Sequence, residues 1–350
     1  MAKGDRNPGW PGVFCAFTVL CAIVLLLAQS GQEEAIKLAT GGYVQVLLVY
    51  EGLTSWSVPA LFMLWGMSAL GDGKPGLRNS LMGLVLPAFV LLVFWGAVYS
   101  VLSVLLGGGG LSWRGVWAAL VSAAKGNTRA HLWVLYPLIG IYLVHPVIHR
   151  FVATATRGEV RWFLALCFLF ASVLPMWAAF RPDGVLVSQL SRLRIHLVLG
   201  WVGCYVAGWY LRHYTIGRAP EFLIYILGVL GMVFTLLGDA FFGGGRDLWY
   251  LYTAPNVVLT AVAFCTLFRY VLGISEERSR RRSVHRVGEY ALGIYLIHQV
   301  WMLVLNKLGV SLLAFSPVVS VPFFAALFFL LSAPFAWLLR KIPVVGEWLT

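Results

Sequence analysis

Apolar runs near the length that crosses a bilayer alternate with short polar breaks along the whole chain. About 20 helical residues span the hydrocarbon core, and a run of 18 or more with almost no charge reads as a transmembrane helix. Ten such runs are predicted, at about 12–30, 44–70, 79–106, 131–149, 161–180, 195–211, 221–239, 248–272, 288–306 and 317–339. The breaks carry turn and charge signals: 71–76 (GDGKPG), 107–110 (GGGG), 181–184 (RPDG) and 243–247 (GGGRD). Lipid requires each span to satisfy its own backbone, and runs this long do so as helices and not as barrel strands. The stretch 111–124 reads as a short interfacial helix, with Trp113 and Trp117 one turn apart.

Composition agrees. Of 350 residues, 60% are hydrophobic and 11% charged, and the mean hydropathy of +0.83 is far above that of a water-soluble domain. The fold class expected is all-α: a polytopic integral membrane protein of about ten transmembrane helices. It forms a single transmembrane domain over 1–350, with no separate soluble domain and no evident repeat. No small-residue cleavage site follows the first run, so it is expected to be a retained helix.

The net charge of +12 raises the question of nucleic acid, but no nucleic-acid motif is present. In a membrane protein such an excess marks the cytoplasmic loops and contact with anionic lipid. With the N-terminus inside, 17 of the 26 Lys and Arg residues fall in inner segments. Both termini are therefore expected in the cytoplasm, with the chain in the cell (inner) membrane. The five cysteines lie within apolar runs, are odd in number and lack metal-ligand spacing. They read as small packing residues, and neither a disulfide framework nor a metal site is expected.

Polar groups inside such runs are costly and are functional candidates by default. On the outer side, Gln29 ends the first helix, Glu51 and Ser55 open the second, His131 opens the fourth, and Arg192, Arg194 and His196 open the sixth. His298 stands near the middle of the ninth helix, where water access is poor. His145, His149 and His213 adjoin inner loops, where interfacial snorkelling accounts for them as well as function does. The inner rim holds Arg78, Arg150, Arg157 and the run 278–286 (RSRRRSVHR). Arg matches phosphate with a fork of donors, but such a rim equally suits anionic lipid or topology.

Three stretches together resemble the membrane acyltransferase family called acyltransferase 3. They are WSVPALFMLWGMSAL at 56–70, HLWVLYPLIGIYLVHP at 131–146 and GEYALGIYLIHQV at 288–300. A fourth, GCYVAGWYLRH at 203–213, is similar to another family segment. Each is apolar and weak alone; their order and spacing carry the likeness across nearly the whole chain. The resemblance implies transfer of an acyl group, acetyl above all, from cytosolic acyl-CoA to a cell-envelope or secreted polysaccharide. Acyl-CoA would be a substrate, with no bound cofactor. The implied partners are acyl-CoA, a polysaccharide or glycolipid acceptor and membrane lipid.

The chain departs from the family in its first helix. The family normally places there an Arg and a catalytic His, often after an Asp; the aligned positions here are Thr18, Gln29 and Cys15. The Arg usual before W-x-V-P is Ser55, and a basic run before the third helix shrinks to Arg78. Gln cannot take a proton, whereas imidazole titrates near neutrality. Gln29 is left to orient a substrate or donate to an oxyanion.

Two functions follow. In the first, an O-acyltransferase uses His298 or His131 as base. Arg192, Arg194, Tyr136, Tyr295 and Glu51 hold the acceptor or the developing oxyanion, and Arg78 and Arg150 attract the donor's phosphates. In the second, a non-catalytic relative translocates a glycan or scaffolds a polysaccharide synthase.

Overall fold

The computed structural model describes residues 9–71, 76–106, 113–114, 117–118, 121, 130–181, 189, 200–272 and 282–342, except the side chains of 130 and 282–287. The described residues are helical with no strand. The helices are α1 (Trp10–Lys37), α2 (Gly41–Thr54), α3 (Ser57–Ala69), α4 (Leu77–Leu106), α5 (His131–Thr154), α6 (Arg157–Phe180), α7 (Val202–His213), α8 (Arg218–Phe242), α9 (Arg246–Tyr250), α10 (Pro255–Tyr270), α11 (Arg282–Lys307) and α12 (Pro317–Arg340). Among them are nine stretches long and apolar enough to cross a membrane, with α2–α3 and α9–α10 each forming one stretch. The expected all-α polytopic architecture is therefore present. The sixth expected span, 195–211, survives in the described residues as α7, and 195–199 lies outside them.

Prolines explain the irregularities. The expected second span breaks at Ser55–Trp56 because Pro59 has no N–H for the Ser55 carbonyl. Ser55 Oγ turns back to donate to the Gly52 carbonyl, and Trp56 Nε1 to that of Leu53. In α4 and α6, π turns at Leu81–Val85 and Leu169–Val173 each end two residues before a proline, Pro87 and Pro175. The missing donor is absorbed by widening the turn, so neither span is interrupted. α6 starts at Arg157, ahead of the expected 161, because Thr156 and Glu159 close a capping box.

The chain folds as two compact units. The first comprises Met1–Leu25, Leu48–Lys74 and Ile148–Gly288; the second comprises Leu26–Leu47, Pro75–Val147 and Glu289–Thr350. In the first unit α3 and α7 meet through small residues. A Cβ on Gly66 would lie 1.7 Å from the Tyr205 carbonyl oxygen, and one on Gly208 would lie 1.9 Å from that of Met63. Backbone therefore packs on backbone, the usual solution where lipid supplies no hydrophobic drive between helices. α8 and α10 add hydrogen bonds: Asn256 Nδ2 donates to Thr235 Oγ1 at 2.8 Å and to the Trp249 carbonyl at 2.7 Å. In the second unit Trp301 Nε1 donates to Ser332 Oγ at 3.0 Å, tying α11 to α12.

Candidate functional site

The ninth expected helix is α11, and His298 lies ten residues into its apolar stretch, which starts at Gly288. At 1.5 Å per residue that is about 15 Å along the span, close to its middle. His298 is 1% exposed and His131 is fully buried. Both belong to the second unit. Their rings meet edge to face, with centroids 5.3 Å apart and planes at 74°. Tyr295, one turn before His298, donates its hydroxyl to the His131 carbonyl at 2.8 Å. The expected residues His131, Tyr295 and His298 thus form one cluster.

Tyr99 of α4 completes it and was not singled out from the sequence. Its ring stands edge-on to His131 at 4.9 Å, and its hydroxyl donates to the Leu296 carbonyl. The signal was present: a tyrosine deep in an otherwise aliphatic run (GAVYSVLS, 96–103) needs a partner for its hydroxyl. Both tyrosines donate to backbone carbonyls, and both rings pack against His131.

The hydrogen bonding also orients the His298 proton. Nδ1 faces the Tyr295 carbonyl. A carbonyl only accepts, so Nδ1 carries the hydrogen. In the neutral ring Nε2 then holds the lone pair. Nε2 is buried and has no hydrogen-bond partner among the described residues. Chemically this is an imidazole base with its accepting nitrogen uncommitted.

The other expected residues within the described range lie on α1, α2, α4 and α5. Gln29 lies half-buried in the later part of α1, which belongs to the second unit. Tyr136 is 43% exposed on α5. Glu51 is half-buried on α2 in the first unit. Arg78 and Arg150 are exposed at the start of α4 and near the end of α5. Arg192, Arg194 and His196 lie outside the described residues, as does most of 111–124. Of the inner-rim groups, His149 Nε2 donates to the Gly71 carbonyl at 3.0 Å, and His213 stacks on Trp209 at 4.9 Å. Arg157 is engaged by Tyr210 Oη at 3.1 Å and by the Thr215 carbonyl at 2.7 Å, and so ties helix ends together.

The early part of α1 has a different character. Thr18 is fully buried, and its hydroxyl has no partner among the described residues. It shares a face with Phe14, one turn earlier. Phe14, Phe17, Trp56, Phe264 and Phe268 form an aromatic cluster there; Trp56 stacks on Phe264 at 4.1 Å, and Phe14 meets Phe268 at 5.1 Å.

A family model described as an acyltransferase domain, acyltransferase 3, matches residues 21–341. The chain belongs to the acyltransferase 3 family. Its domain is that of a membrane acyltransferase, and the apolar helices make it an integral membrane protein. The match contains Gln29, His131, Tyr295 and His298; Cys15 and Thr18 lie just before it. No curated protein and no solved structure matches the chain.

Proposed function

We propose that this acyltransferase 3 member is a membrane O-acyltransferase that moves an acyl group, acetyl in the first instance, from cytosolic acyl-CoA to a hydroxyl of a cell-envelope or secreted polysaccharide. The observation that carries this is His298: a mid-span imidazole whose Nδ1–H is tied to a carbonyl and whose buried Nε2 is uncommitted. Nε2 takes the proton of the acceptor hydroxyl, and the oxygen attacks the thioester carbonyl carbon. The C–S bond then breaks, and the imidazolium returns the proton to the departing thiolate. His131, against the His298 ring, positions it. Arg192 or Arg194 holds the acceptor or the oxyanion. The exposed Arg78 and Arg150 draw the phosphates of the donor. The chain sits in the inner membrane with both termini cytoplasmic, the orientation favoured by the basic asymmetry.

The test is transfer from isotopically labelled acetyl-CoA by the purified protein in nanodiscs, with envelope polysaccharide as acceptor. His298→Gln and His298→Ala should both fold and lose transfer by about a hundredfold or more. Full transfer in a folded His298→Gln protein overturns His298 as base.

A second function, export of a glycan or scaffolding of a polysaccharide synthase, is favoured by one observation: Thr18, which the sequence resemblance aligns with the family's first-helix Arg, is fully buried. Acyl-CoA binding separates the two, because a transferase must bind its donor and a scaffold need not.

A further inference from the structure

A cavity in the first unit is built from the outer end of α6, as assigned from the charge bias, together with α8, α9 and the start of α10. It has a volume of about 520 Å³ and is walled by Trp177, Phe180, Phe234, Phe242 and Trp249, with Arg181 at its edge. Aromatic residues at a membrane surface are ordinary when they stand singly toward lipid. Here five rings converge. Trp249 is 6% exposed and forms the floor, its Nε1 fixed to the Gly243 carbonyl at 3.0 Å. Phe180, Phe242 and Phe234 surround it at centroid distances of 5.7, 5.9 and 6.2 Å. Trp177 is 58% exposed and offers an open ring at the mouth.

The loop that closes one side is equally specific. Gly243, Gly244 and Gly245 all have left-handed backbone, at φ of 70°, 91° and 85°, which L side chains disfavour. A Cβ on Gly244 would lie 2.7 Å from the Phe180 ring. Gly245 N donates to Asp239 Oδ1 at 2.9 Å, which pins the turn. The wall is therefore formed before any ligand arrives, as expected of a small-molecule site of this size.

Charge decides the ligand. Arg181 is the single charged side chain among the described lining residues, and no hydrogen bond or ion pair among the described residues occupies its guanidinium. A cage of bare aromatic rings would suit a quaternary ammonium, but the Arg181 cation repels one. A pyranose suits both features. Its apolar C–H face lies flat on an aromatic ring, positive edge on negative face, while a ring carboxylate pairs with the Arg fork. The geometry points to a binding site for an acidic sugar residue, a carboxylate-bearing pyranose of the acceptor glycan. This takes the glycan acceptor from the function proposed above and adds its chemical class and a place where it is held.

The experiment is calorimetric titration of the protein in nanodiscs with oligogalacturonate and, separately, with the neutral maltotetraose. The native protein should bind the acidic oligosaccharide more tightly. Arg181→Gln should weaken that binding about tenfold or more, the scale of a lost hydrogen bond to a charged group, and leave the neutral sugar unchanged. Arg181→Lys should restore it in part. Trp177→Ala should weaken both sugars. Both positions are exposed, so the fold is expected to survive, and matching thermal midpoints check this. Equal binding of the two sugars overturns the assignment, as does absence of binding or indifference to both variants. A heat that follows the phosphatidylglycerol content of the nanodisc instead of the sugar overturns it in favour of a lipid headgroup. Binding is read without transfer, so the two proposals fail separately. A protein that binds but does not transfer sinks the transferase alone. Transfer to an acidic glycan undiminished in Arg181→Gln and Trp177→Ala sinks the sugar site alone.

Discussion

The early part of α1 and the middle of α11, the two regions where the sequence resemblance leads one to look for titratable groups, have opposite interiors. Thr18 is fully buried on the helix face it shares with Phe14 of the aromatic cluster, and its hydroxyl is left without a hydrogen-bond partner among the described residues. Around His298, its own Nδ1 and two tyrosine hydroxyls bond to backbone carbonyls, and the His131 ring packs edge to face against it. An orphaned hydroxyl in a dry core is a modest cost, and it reports that nothing charged is expected there. An imidazole oriented by one nitrogen and uncommitted at the other is arranged for a proton. The difference teaches that the base proposed on α11 has the environment such a role needs, whereas Thr18 offers no titratable group.

That contrast can be broken most forcefully by restoring the family residue. Thr18→Arg places an unpaired charge at a fully buried position, at an expected cost on the order of several kcal/mol. The variant should lose its monodisperse peak on size exclusion and its thermal transition. A folded Thr18→Arg protein with raised transfer would show that the α1 region still accepts the family's chemistry. Next in size is the loss of about a hundredfold or more in transfer for His298→Gln. Smaller is Tyr99→Phe, which removes only the hydroxyl that holds the Leu296 carbonyl. It should cost about 0.5–1.5 kcal/mol in unfolding free energy. Transfer should fall by less than about tenfold, since Tyr99 positions the histidines and carries no proton. A Tyr99→Phe protein as inactive as His298→Gln would make Tyr99 part of the chemistry. Smallest is Thr18→Val, which removes an unsatisfied hydroxyl while keeping the shape. Its thermal midpoint should stay level or rise slightly; a clear fall would mean that Thr18 bonds to something the dry-core picture omits.

Much of this was legible in the sequence. Apolar run length located the spans, because a helix in lipid must be both long and uncharged. His131, Tyr295 and His298 were marked by the family-like segments, and the structure brings those three together. Tyr99 escaped because its role depends on which face of α4 meets α11, and a nearly uniform apolar run carries no periodicity to reveal a face. The aromatic cluster around Phe14 escaped for the same reason: Phe14, Trp56 and Phe268 are far apart in sequence and converge only in the fold. The break at Ser55–Trp56 was available from Pro59, but hydropathy outweighed it. Glu51 and Tyr136 illustrate the reverse limit, since a polar side chain at the end of a span is equally suited to a substrate and to the interface.

The mutual approach of Gly66 and Gly208 has a thermal consequence. Each glycine stands against a carbonyl oxygen of the opposite helix, close enough for its α-hydrogens to make weak bonds to it. Separating α3 from α7 within a bilayer exposes these surfaces to acyl chains and not to water. The large heat-capacity change that accompanies wetting an apolar core is then absent. This helix pair should therefore hold as firmly at growth temperature as in the cold, and it is in the cold that a water-soluble core of equal area would be loosening.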